Sequence, residues 1–303
     1  MMEKTEFQRK ITDLLPDIVL RYGEPMAKHT SFRIGGPAEV MAFPKNDDEL
    51  QRILQVCNLL DVKPAILGAG TNVLAPDAGI TGMVICLKDA LGKITQPDET
   101  HICVDAGVTM ARLAVFAANA GLSGLEFAHG IPGSVGGGVY MNAGAYGGEM
   151  KDVCESVTLM SADGKIQTLS NAQMDFSYRH SVLEDTGSIV LRAVFQLEKK
   201  DPALIRERMQ ELVAKRRGSQ PLDKPSAGSA FKRPVGGYAA ALIDEAGLKG
   251  YQVGGAAISE KHAGFAVNLG GATAEDVKNL LQNVSDIVYE KSGIRLEPEV
   301  RIW

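Results

Sequence analysis

The sequence predicts a protein of mixed helices and strands that is built from more than one domain. The chain has 303 residues, and single hydrophobic cores usually stop growing near about 250–300 residues, so two or three domains are expected. Short apolar strands alternate with amphipathic helices along most of the chain. The pair Asp201-Pro202 is a strong helix start after the last strand of this pattern, and it marks the main domain boundary near residue 200.

Composition and charge exclude several classes of protein. The hydrophobic fraction is 45% and the charged fraction 23%, as in ordinary globular proteins. The net charge is -5, and the only basic run, Lys215 to Arg217, is too short for a nucleic-acid footprint but suits a phosphate group. No apolar stretch is long enough to span a membrane, and the N-terminus lacks a signal pattern, so a cytoplasmic protein without membrane insertion is expected.

The four cysteines predict neither disulfides nor a metal site. Cys57, Cys86, Cys103 and Cys154 are scattered, and no two form a C-x-x-C pair. Each lies among apolar neighbours, where a cysteine usually behaves as a small buried hydrophobic residue. We therefore expect a reducing compartment and no bound metal.

In the first half of the chain, hydrophobic periodicity and capping residues predict the secondary structure. The segment up to about Pro25 is expected to be an amphipathic helix. A second helix is expected to be capped by Asp47 or Asp48, and a third to run from a Thr109 cap to Ala120 and stop at Gly121. The predicted strands are Ala38–Phe43, Pro64–Leu67, Met83–Leu87 and His101–Asp105.

In the second half, the pattern continues without an internal repeat. Strands are predicted at Val153–Met160, Lys165–Leu169, Ile189–Leu197, near Tyr251, near Phe265 and at Arg295–Ile302. The helix that starts at Asp201 is expected to end at Gly218, because basic residues stabilise the last turn before it. A short helix to Gly247 and a long one from a Thr273 capping box to about Lys291 follow.

Glycine-rich loops are the first candidates for a binding site. Gly68–Asn72 follows a short strand, but Val73 occupies the sixth position, so the loop lacks the Rossmann fingerprint, and a plain turn is an equally good interpretation. The stretch from Gly121 to Gly148 is glycine-dense yet apolar, which favours an ordered loop laid against a planar ligand and a pyrophosphate. The segment His29–Pro37 is a third candidate.

Six motifs together carry a resemblance to a known family. They are His29–Pro37, Gly68–Leu74, Gly130–Gly137, Asn142–Ala145, Tyr178-Arg179 and Ala227-Gly228-Ser229. In this order they resemble the UDP-N-acetylenolpyruvoylglucosamine reductase (MurB) family from about Met26 to Ile302. Single motifs are shared with other flavoproteins of the same two-part FAD-binding fold, whereas the full set is specific. The chain resembles the shorter family type, because no long insertion separates Tyr178 from Ser229.

The resemblance implies an α+β fold of two parts. A two-subdomain FAD-binding fold, like that of vanillyl-alcohol oxidase (the PCMH type), would occupy residues 1–90 and 91–200. A C-terminal α+β substrate-binding domain would occupy residues 201–303, with a last strand able to pack back toward the active site. The family binds FAD non-covalently, oxidises NADPH and reduces UDP-N-acetylglucosamine enolpyruvate to UDP-N-acetylmuramate for peptidoglycan. The resemblance implies that this protein binds small molecules only, with no nucleic acid and no obligate protein partner.

The chemistry of this reduction asks for two kinds of group. Hydride addition to the β-carbon of the enol ether builds negative charge at the α-carbon and its carboxylate, so a charge-stabilising group and a proton donor are required. By resemblance, Arg179 grips the carboxylate, Ser229 donates the proton, and Glu299 polarises or orients the intermediate alongside Arg179. Taken alone, these three would be interpreted as a surface arginine, a turn serine and part of a solvated strand face.

The resemblance also implies binding residues. The expected cofactor-binding residues are Gly68, Ala69, Gly70, Thr71, Asn72, Val73, Gly130, Ile131, Pro132, Gly133, Ser134, Gly136, Gly137, Asn142, Ala143 and Gly144. The expected substrate-binding residues are Tyr178, Arg217 and Lys232. His129 and His29 lie in or near these loops, and their roles stay open.

Two other functions compete with this one. Another FAD oxidase or dehydrogenase of the same fold would keep the glycine-rich loops, but the spacing of Arg179, Ser229 and Glu299 argues against it. A catalytically idle nucleotide-binding module would have no need of these three polar residues.

Overall fold

The computed structural model describes residues 5–88 and 90–303. The contacts within the chain divide it into two compact units. Unit 1 comprises the described part of Met1–Tyr22 together with Val40–Ala69 and Gly82–Lys215. Unit 2 comprises Gly23–Glu39, Gly70–Thr81 and Arg216–Trp303. The chain therefore enters unit 2 twice before its C-terminal segment does, and the three-domain division at residues 90 and 200 stays a prediction.

The helices and strands alternate along the chain. The helices are α1 Glu6–Leu14, α2 Asp47–Leu59, α3 Met110–Asn119, α4 Val135–Tyr140, α5 Leu183–Thr186, α6 Pro202–Ser219, α7 Ala239–Glu245 and α8 Ala274–Ser292. The strands are β1 Val19–Pro25, β2 Pro37–Phe43, β3 Ala65–Leu67, β4 Val73–Leu74, β5 Ile80–Cys86, β6 Ile94–Thr95, β7 His101–Asp105, β8 Leu122–Ser123, β9 Gly144–Ala145, β10 Gly148–Glu149, β11 Cys154–Met160, β12 Ile166–Ser170, β13 Ile189–Gln196, β14 Glu198–Lys199, β15 Ser226–Ser229, β16 Gln252–Val253, β17 Ala256–Ile258, β18 Phe265–Asn268 and β19 Arg301–Ile302.

Two larger sheets carry most of the strands that precede α6. One has the order β1-β2-β5-β3, with β3 parallel to β5. The other has the order β12-β11-β13-β7-β6 and is antiparallel, with Val157 opposite Ala193 and Ala193 opposite Val104. Side chains from α2, α3, α4 and both sheets form one hydrophobic core within unit 1. This core fixes the ends of β3, β7 and α4, where the candidate site lies.

Unit 2 has its own sheet and core. The strands follow the antiparallel order β15-β18-β17-β16, and β19 pairs in parallel with β4. A second hydrophobic core collects buried residues of α7, α8 and this sheet, together with Phe32, Ile34 and Leu74 from the earlier segments. Asp77 ties one of those segments to α8, since its carboxylate accepts the backbone N–H groups of Ala274 and Glu275 at 2.8 and 3.2 Å.

Several sequence predictions are confirmed in detail. Thr109 caps α3 by accepting the Arg112 N–H at 3.2 Å, and Gly121 follows that helix with a φ of 69°. Thr273 and Asp276 form the predicted capping box of α8. The Asp201 carboxylate accepts the Ala203 N–H at 2.8 Å at the start of α6. Capping residues therefore located these helix ends correctly.

Four predictions about element boundaries are wrong. The N-terminal helix ends at Leu14, because Leu15 precedes Pro16 and leaves the helical conformation, and the predicted helical segment up to Pro25 contains strand β1 instead. Its first four residues lie outside the described part of the chain. Asn46, not Asp47 or Asp48, caps α2. Helix α6 passes through Gly218 and ends at Ser219.

The fourth error concerns the last strand. Only Arg301–Ile302 of the predicted strand Arg295–Ile302 is paired as β19, with an isolated bridge between Pro298 and Phe231 before it. The N–H groups of Lys232 and Glu299 donate the hydrogen bonds of this bridge, so Pro298, which has no N–H, takes the position of the pair that needs none. Leu296 and Val300 are buried, whereas Ile302 is 44% exposed.

No helix within residues 5–88 and 90–303 combines the length and the apolar character that crossing a membrane requires. The same residues contain no cluster of three or more histidine, cysteine or acidic side chains that could hold a metal ion.

Replacing Gly36 by alanine should destabilise the protein. A Cβ at this position would lie 2.1 Å from the Asp77 carbonyl oxygen and 2.7 Å from the Gly79 nitrogen, both backbone atoms that cannot move aside cheaply. We expect a loss of about 1–3 kcal/mol in the free energy of unfolding, measured by urea denaturation. Gly237→Ala is the matched control, because no atom lies within 4 Å of its added Cβ. Equal losses in both variants would contradict this packing.

The cysteines differ in burial. All four are thiols outside any disulfide; Cys57, Cys86 and Cys154 are buried, whereas Cys103 is half-buried. Burial raises the pKa of the Cys57 thiol to about 11 and that of Cys154 to about 12, which keeps both protonated and unreactive. With an aromatic disulfide reagent at pH 8, we expect one thiol to react quickly in the native protein and the rest only after unfolding. Cys103→Ser should abolish the fast phase, and its persistence would refute the assignment.

Candidate functional site

The glycine-rich stretch of unit 1 contains a short helix that the sequence analysis did not predict. Ser134 caps α4 by accepting the Gly137 N–H at 3.3 Å. The Val135 and Gly136 N–H groups donate to the carbonyl oxygens of Val108 and Ala106, at 2.8 and 2.9 Å. Gly136 is required here, because a Cβ would come within 2.9 Å of the Ala106 side chain. The stretch is thus ordered, as predicted, and part of its glycine content serves close packing on the turn between β7 and α3.

Two of the predicted cofactor loops meet at Ser134. A Cβ on Gly68 would lie 2.7 Å from the Ser134 hydroxyl oxygen, so the end of β3 lies directly against the start of α4. Within the part of the chain that the structure describes, the backbone N–H groups of Gly68, Ala69, Gly133 and Ser134 donate no hydrogen bond. A group of neutral N–H donors on adjoining loops is the donor set that phosphate oxygens take in proteins. These residues therefore fit a phosphate-bearing cofactor.

His129 adds a second polar atom to the same loop. Its Nδ1 atom is buried and has no hydrogen-bond partner among the described residues. Buried polar atoms normally have a hydrogen-bond partner, so an unpaired one indicates a position for a ligand or a water molecule. The His129 imidazole is half-buried.

Other predicted cofactor residues of unit 1 follow α4. Asn142 and Ala143 continue from the helix, and Gly144 lies in β9, paired with Glu149 of β10. Gly144 has no room for a side chain, since a Cβ would approach the Glu149 side chain to 2.6 Å. The Asn142 side chain is fully buried, and its amide is hydrogen-bonded within the protein. Gly130, Ile131 and Pro132 form the turn that leads into the helix.

Arg179 lies at the tip of a tight turn in unit 1. The backbone groups of Ser177 and His180 exchange two hydrogen bonds of 3.2 Å, which leaves Tyr178 and Arg179 as the central pair. Arg179 has a φ of 58°, in the left-handed region that glycine or asparagine normally fills at this position of a type II turn. Strained backbone of this kind concentrates at functional sites.

The Arg179 side chain is held from two sides. Its guanidinium carbon lies 5.0 Å from the centre of the Tyr178 ring, within the range of a cation–π contact. Its Nη2 atom donates to the Gly144 carbonyl oxygen at 3.5 Å. Tyr178 itself is exposed. The two predicted substrate-contacting residues of this turn are therefore packed on each other.

In unit 2, Glu299 lies beside the strand that ends at Ser229. The Glu299 N–H donates to the Ala230 carbonyl oxygen at 2.9 Å, and the Lys232 N–H donates to the Glu297 carbonyl oxygen at 2.9 Å. Ser229 is exposed and follows Gly228, whose φ of 80° belongs to an irregularity in the pairing of β15 with β18. The fold thus brings the predicted proton donor and the predicted orienting carboxylate onto neighbouring segments.

Asn72 holds the other side of the Glu299 segment. Its side-chain amide donates to the Glu299 carbonyl oxygen at 3.2 Å, and its own carbonyl oxygen accepts the Arg301 N–H at 3.0 Å. Val73 continues this pairing in β4. Gly70 is required for close approach, because a Cβ would fall 2.0 Å from the His29 carbonyl oxygen. Asn72 and Val73 therefore hold the Glu299–Arg301 segment.

The remaining substrate candidates are at the surface of unit 2. The ammonium group of Lys232 pairs with the Glu297 carboxylate at 3.4 Å. Arg217 lies in the last turn of α6, where its carbonyl oxygen accepts the Lys261 ammonium group at 2.6 Å. The units divide the predicted catalytic residues, since Arg179 belongs to unit 1, and Ser229 and Glu299 belong to unit 2.

Sequence reasoning missed two residues at these segments. The Ser181 hydroxyl, fully buried, donates to the Tyr140 carbonyl oxygen at 2.8 Å and anchors the Arg179 turn to the end of α4. Burial lowers the pKa of His262, and its Nδ1 atom accepts the Gly264 N–H at 3.1 Å next to the Ser229 strand. No pattern in the sequence marks either residue: the Ser181 bond joins residues 41 positions apart, and the lowered pKa of His262 depends on how the folded chain buries it.

Comparisons with known proteins agree with these observations. The family model described as "FAD binding domain" matches residues 38–170. The model described as "UDP-N-acetylenolpyruvoylglucosamine reductase, C-terminal domain" matches residues 220–303.

Curated relatives match almost the full chain. A UDP-N-acetylenolpyruvoylglucosamine reductase of Agathobacter rectalis is 47% identical, over 98% of this chain and 98% of its own length. One of Caldanaerobacter subterraneus is also 47% identical, over 97% and 96% of the two chains. The crystal structure of the Thermus caldophilus UDP-N-acetylenolpyruvylglucosamine reductase (MurB) superposes with a TM-score of 0.79 at 37% identity, covering 94% of this chain and 98% of that one.

Proposed function

This chain belongs to the UDP-N-acetylenolpyruvoylglucosamine reductase family, and we propose that Arg179, Ser229 and Glu299 carry out its reaction. The enzyme uses FAD and NADPH to reduce UDP-N-acetylglucosamine enolpyruvate to UDP-N-acetylmuramate, a step of peptidoglycan precursor synthesis. Its fold is the two-subdomain FAD-binding fold followed by a C-terminal α+β domain.

The glycine-rich loops of unit 1 would hold the cofactor. When bound, FAD supplies the hydride carrier between NADPH and the substrate double bond. The N–H groups of Gly68, Ala69, Gly133 and Ser134, which donate to no described residue, would bind its phosphate oxygens. The close approach of Gly68 to Ser134 keeps the two loops together.

Arg179 would bind the carboxylate of the enolpyruvyl group. A guanidinium offers a planar pair of donors that matches a carboxylate, and its charge offsets the negative charge that builds up as the double bond is reduced. The stacked Tyr178 ring and the Gly144 carbonyl oxygen restrict where the guanidinium can lie. Such preorganisation makes the interaction available without reorganisation at the moment of reaction.

Ser229 would donate the proton to the α-carbon, and Glu299 would orient the intermediate. The observation that carries this assignment is the 2.9 Å hydrogen bond from the Glu299 N–H to the Ala230 carbonyl oxygen, which puts Glu299 next to Ser229. A hydroxyl is a weak acid, but the enolate that it protonates is a strong base, so the transfer is favourable. Exposure of Ser229 leaves its hydroxyl accessible to a substrate.

Substrate binding by Lys232 and Arg217 belongs to the same proposal. Both would contact the pyrophosphate of the sugar nucleotide, Lys232 as a point charge and Arg217 as a forked donor. We also propose that the enzyme works in the cytoplasm without an obligate protein partner. The four free cysteines are consistent with a reducing compartment.

An anaerobic half-reaction experiment tests the proposed function. The purified protein should be yellow, and excess NADPH should bleach the flavin absorbance. UDP-N-acetylglucosamine enolpyruvate should then restore it without oxygen, whereas UDP-N-acetylglucosamine, which lacks the double bond, should not. Bleaching by NADPH with no recovery on substrate addition would refute the assignment of the substrate while leaving flavin binding intact.

A further inference from the structure

Asn142 is fully buried at the end of α4, and three hydrogen bonds fix its side chain. Its Oδ1 atom accepts the Lys151 N–H at 3.0 Å. Its Nδ2 atom donates to a Glu149 carboxylate oxygen at 3.0 Å and to the Ser177 carbonyl oxygen at 2.9 Å. Because the amide accepts on one side and donates twice on the other, a flipped amide would lose all three bonds.

The backbone conformation at position 142 also favours asparagine. Its φ is 41°, in the left-handed region. Asparagine tolerates this conformation better than most residues with a side chain, and glycine tolerates it best. The position therefore needs asparagine for two independent reasons, since glycine would satisfy the backbone but could not make the three side-chain bonds.

The bond to Ser177 links Asn142 to Arg179. Ser177 opens the turn whose tip is Tyr178-Arg179. Two further contacts tie this turn to the segment 140–144: Ser181 donates to the Tyr140 carbonyl oxygen, and Arg179 donates to that of Gly144. Asn142 lies at the middle of this segment and is bonded to the residue from which the turn starts.

We propose that Asn142 is a positioning residue, which holds the Ser177–His180 turn so that the Arg179 guanidinium meets the substrate carboxylate. The proposal rests on the role of Arg179 given under the proposed function. The proposal gives Asn142 a role in positioning Arg179 instead of a role in binding the cofactor. Both protons of its amide are already bonded within unit 1, so donating to a flavin or a phosphate oxygen would break one of these bonds.

Asn142→Gly is the first test, because it keeps a residue suited to the left-handed backbone and removes only the amide. Flavin content and the rate of flavin bleaching by NADPH should stay at wild-type values. The rate of anaerobic reoxidation by UDP-N-acetylglucosamine enolpyruvate should fall about 10²-fold, the size expected when a reacting group is misplaced by about 1 Å. Loss of bound flavin or slower bleaching would overturn the proposal in favour of a cofactor contact.

Asn171→Ala is the matched control. The Asn171 amide also donates to two backbone carbonyl oxygens, those of Lys151 and Cys154, at 2.8 and 2.7 Å, and makes no hydrogen bond to the Arg179 turn that the structure describes. It should lower the melting temperature as Asn142→Gly does but leave both half-reactions unchanged. Equal slowing of reoxidation in the two variants would show a general structural effect and overturn the proposal.

A double-mutant cycle separates this inference from the proposed function. If Asn142 acts through Arg179, then Asn142→Gly should not slow reoxidation further in an Arg179→Ala background. A full additional 10²-fold loss there would refute the positioning role. Wild-type reoxidation by Arg179→Ala alone would instead refute the role of Arg179. Should Asn142→Gly fold poorly, Asn142→Asp keeps the bond to Lys151, loses the donors and should slow reoxidation in the same selective way.

Discussion

Replacing Ser229 by alanine should leave the reduction of the flavin by NADPH unchanged and slow its reoxidation by substrate about 10²–10⁴-fold. This is the range by which a positioned proton donor accelerates a reaction. Only the second half-reaction places a proton on the α-carbon, so the two half-reactions should separate cleanly. Stopped-flow absorbance of the flavin, recorded anaerobically, measures both rates in one preparation.

Two further variants give this prediction its controls. Ser229→Cys keeps a side chain that can donate a proton and should recover part of the lost rate. Ser226→Ala alters a serine of the same strand, β15, and keeps the bond in which the Ser226 carbonyl oxygen accepts the Ser31 hydroxyl at 2.6 Å. It should reoxidise at the wild-type rate. Wild-type reoxidation by Ser229→Ala would show that another group, or water, supplies the proton.

Local patterns predicted most of the fold because local chemistry decides it. The caps Thr109 and Thr273 and the acid–proline pair Asp201-Pro202 mark helix starts through hydrogen bonds to residues two or three positions away. The same locality explains the errors. Pro16 and Asn46 are also local signals: α1 ends before Pro16, and Asn46, not the acidic residues that follow it, caps α2.

The candidate site was predicted only in part, since its geometry depends on contacts between distant segments. Helix α4 is six residues long and contains three glycines, so propensity argues against it, and its packing on Ala106 and Val108 stabilises it instead. The Asn142 bond to Ser177 spans 35 positions. No periodicity reports such a contact, and the identities of FAD and the substrate came from the resemblance rather than from the glycine content.

Arg179→Gly should slow the second half-reaction as strongly as a truncation to alanine, but with a smaller loss of stability. Both variants lose the guanidinium, and with it the contact with the Tyr178 ring and the bond to Gly144. Removing a preorganised charge-stabilising group costs about 10²–10³-fold in rate. Both should therefore reoxidise slowly, while NADPH still bleaches the flavin. Arg179→Lys keeps the charge but not the planar fork, and should lie between them and wild type.

The stability of the two variants separates backbone strain from side-chain chemistry. At a φ of 58°, alanine keeps the left-handed strain of about 1–2 kcal/mol, whereas glycine removes it. Glycine also gains freedom in the unfolded chain, which offsets roughly 0.5–1 kcal/mol of that relief. Arg179→Gly should thus unfold at a urea concentration at least as high as Arg179→Ala does. The two variants should have equally low rates of flavin reoxidation. A less stable glycine variant would show that the turn is not strained, and faster reoxidation in either variant than in Arg179→Lys would show that Arg179 does not bind the carboxylate.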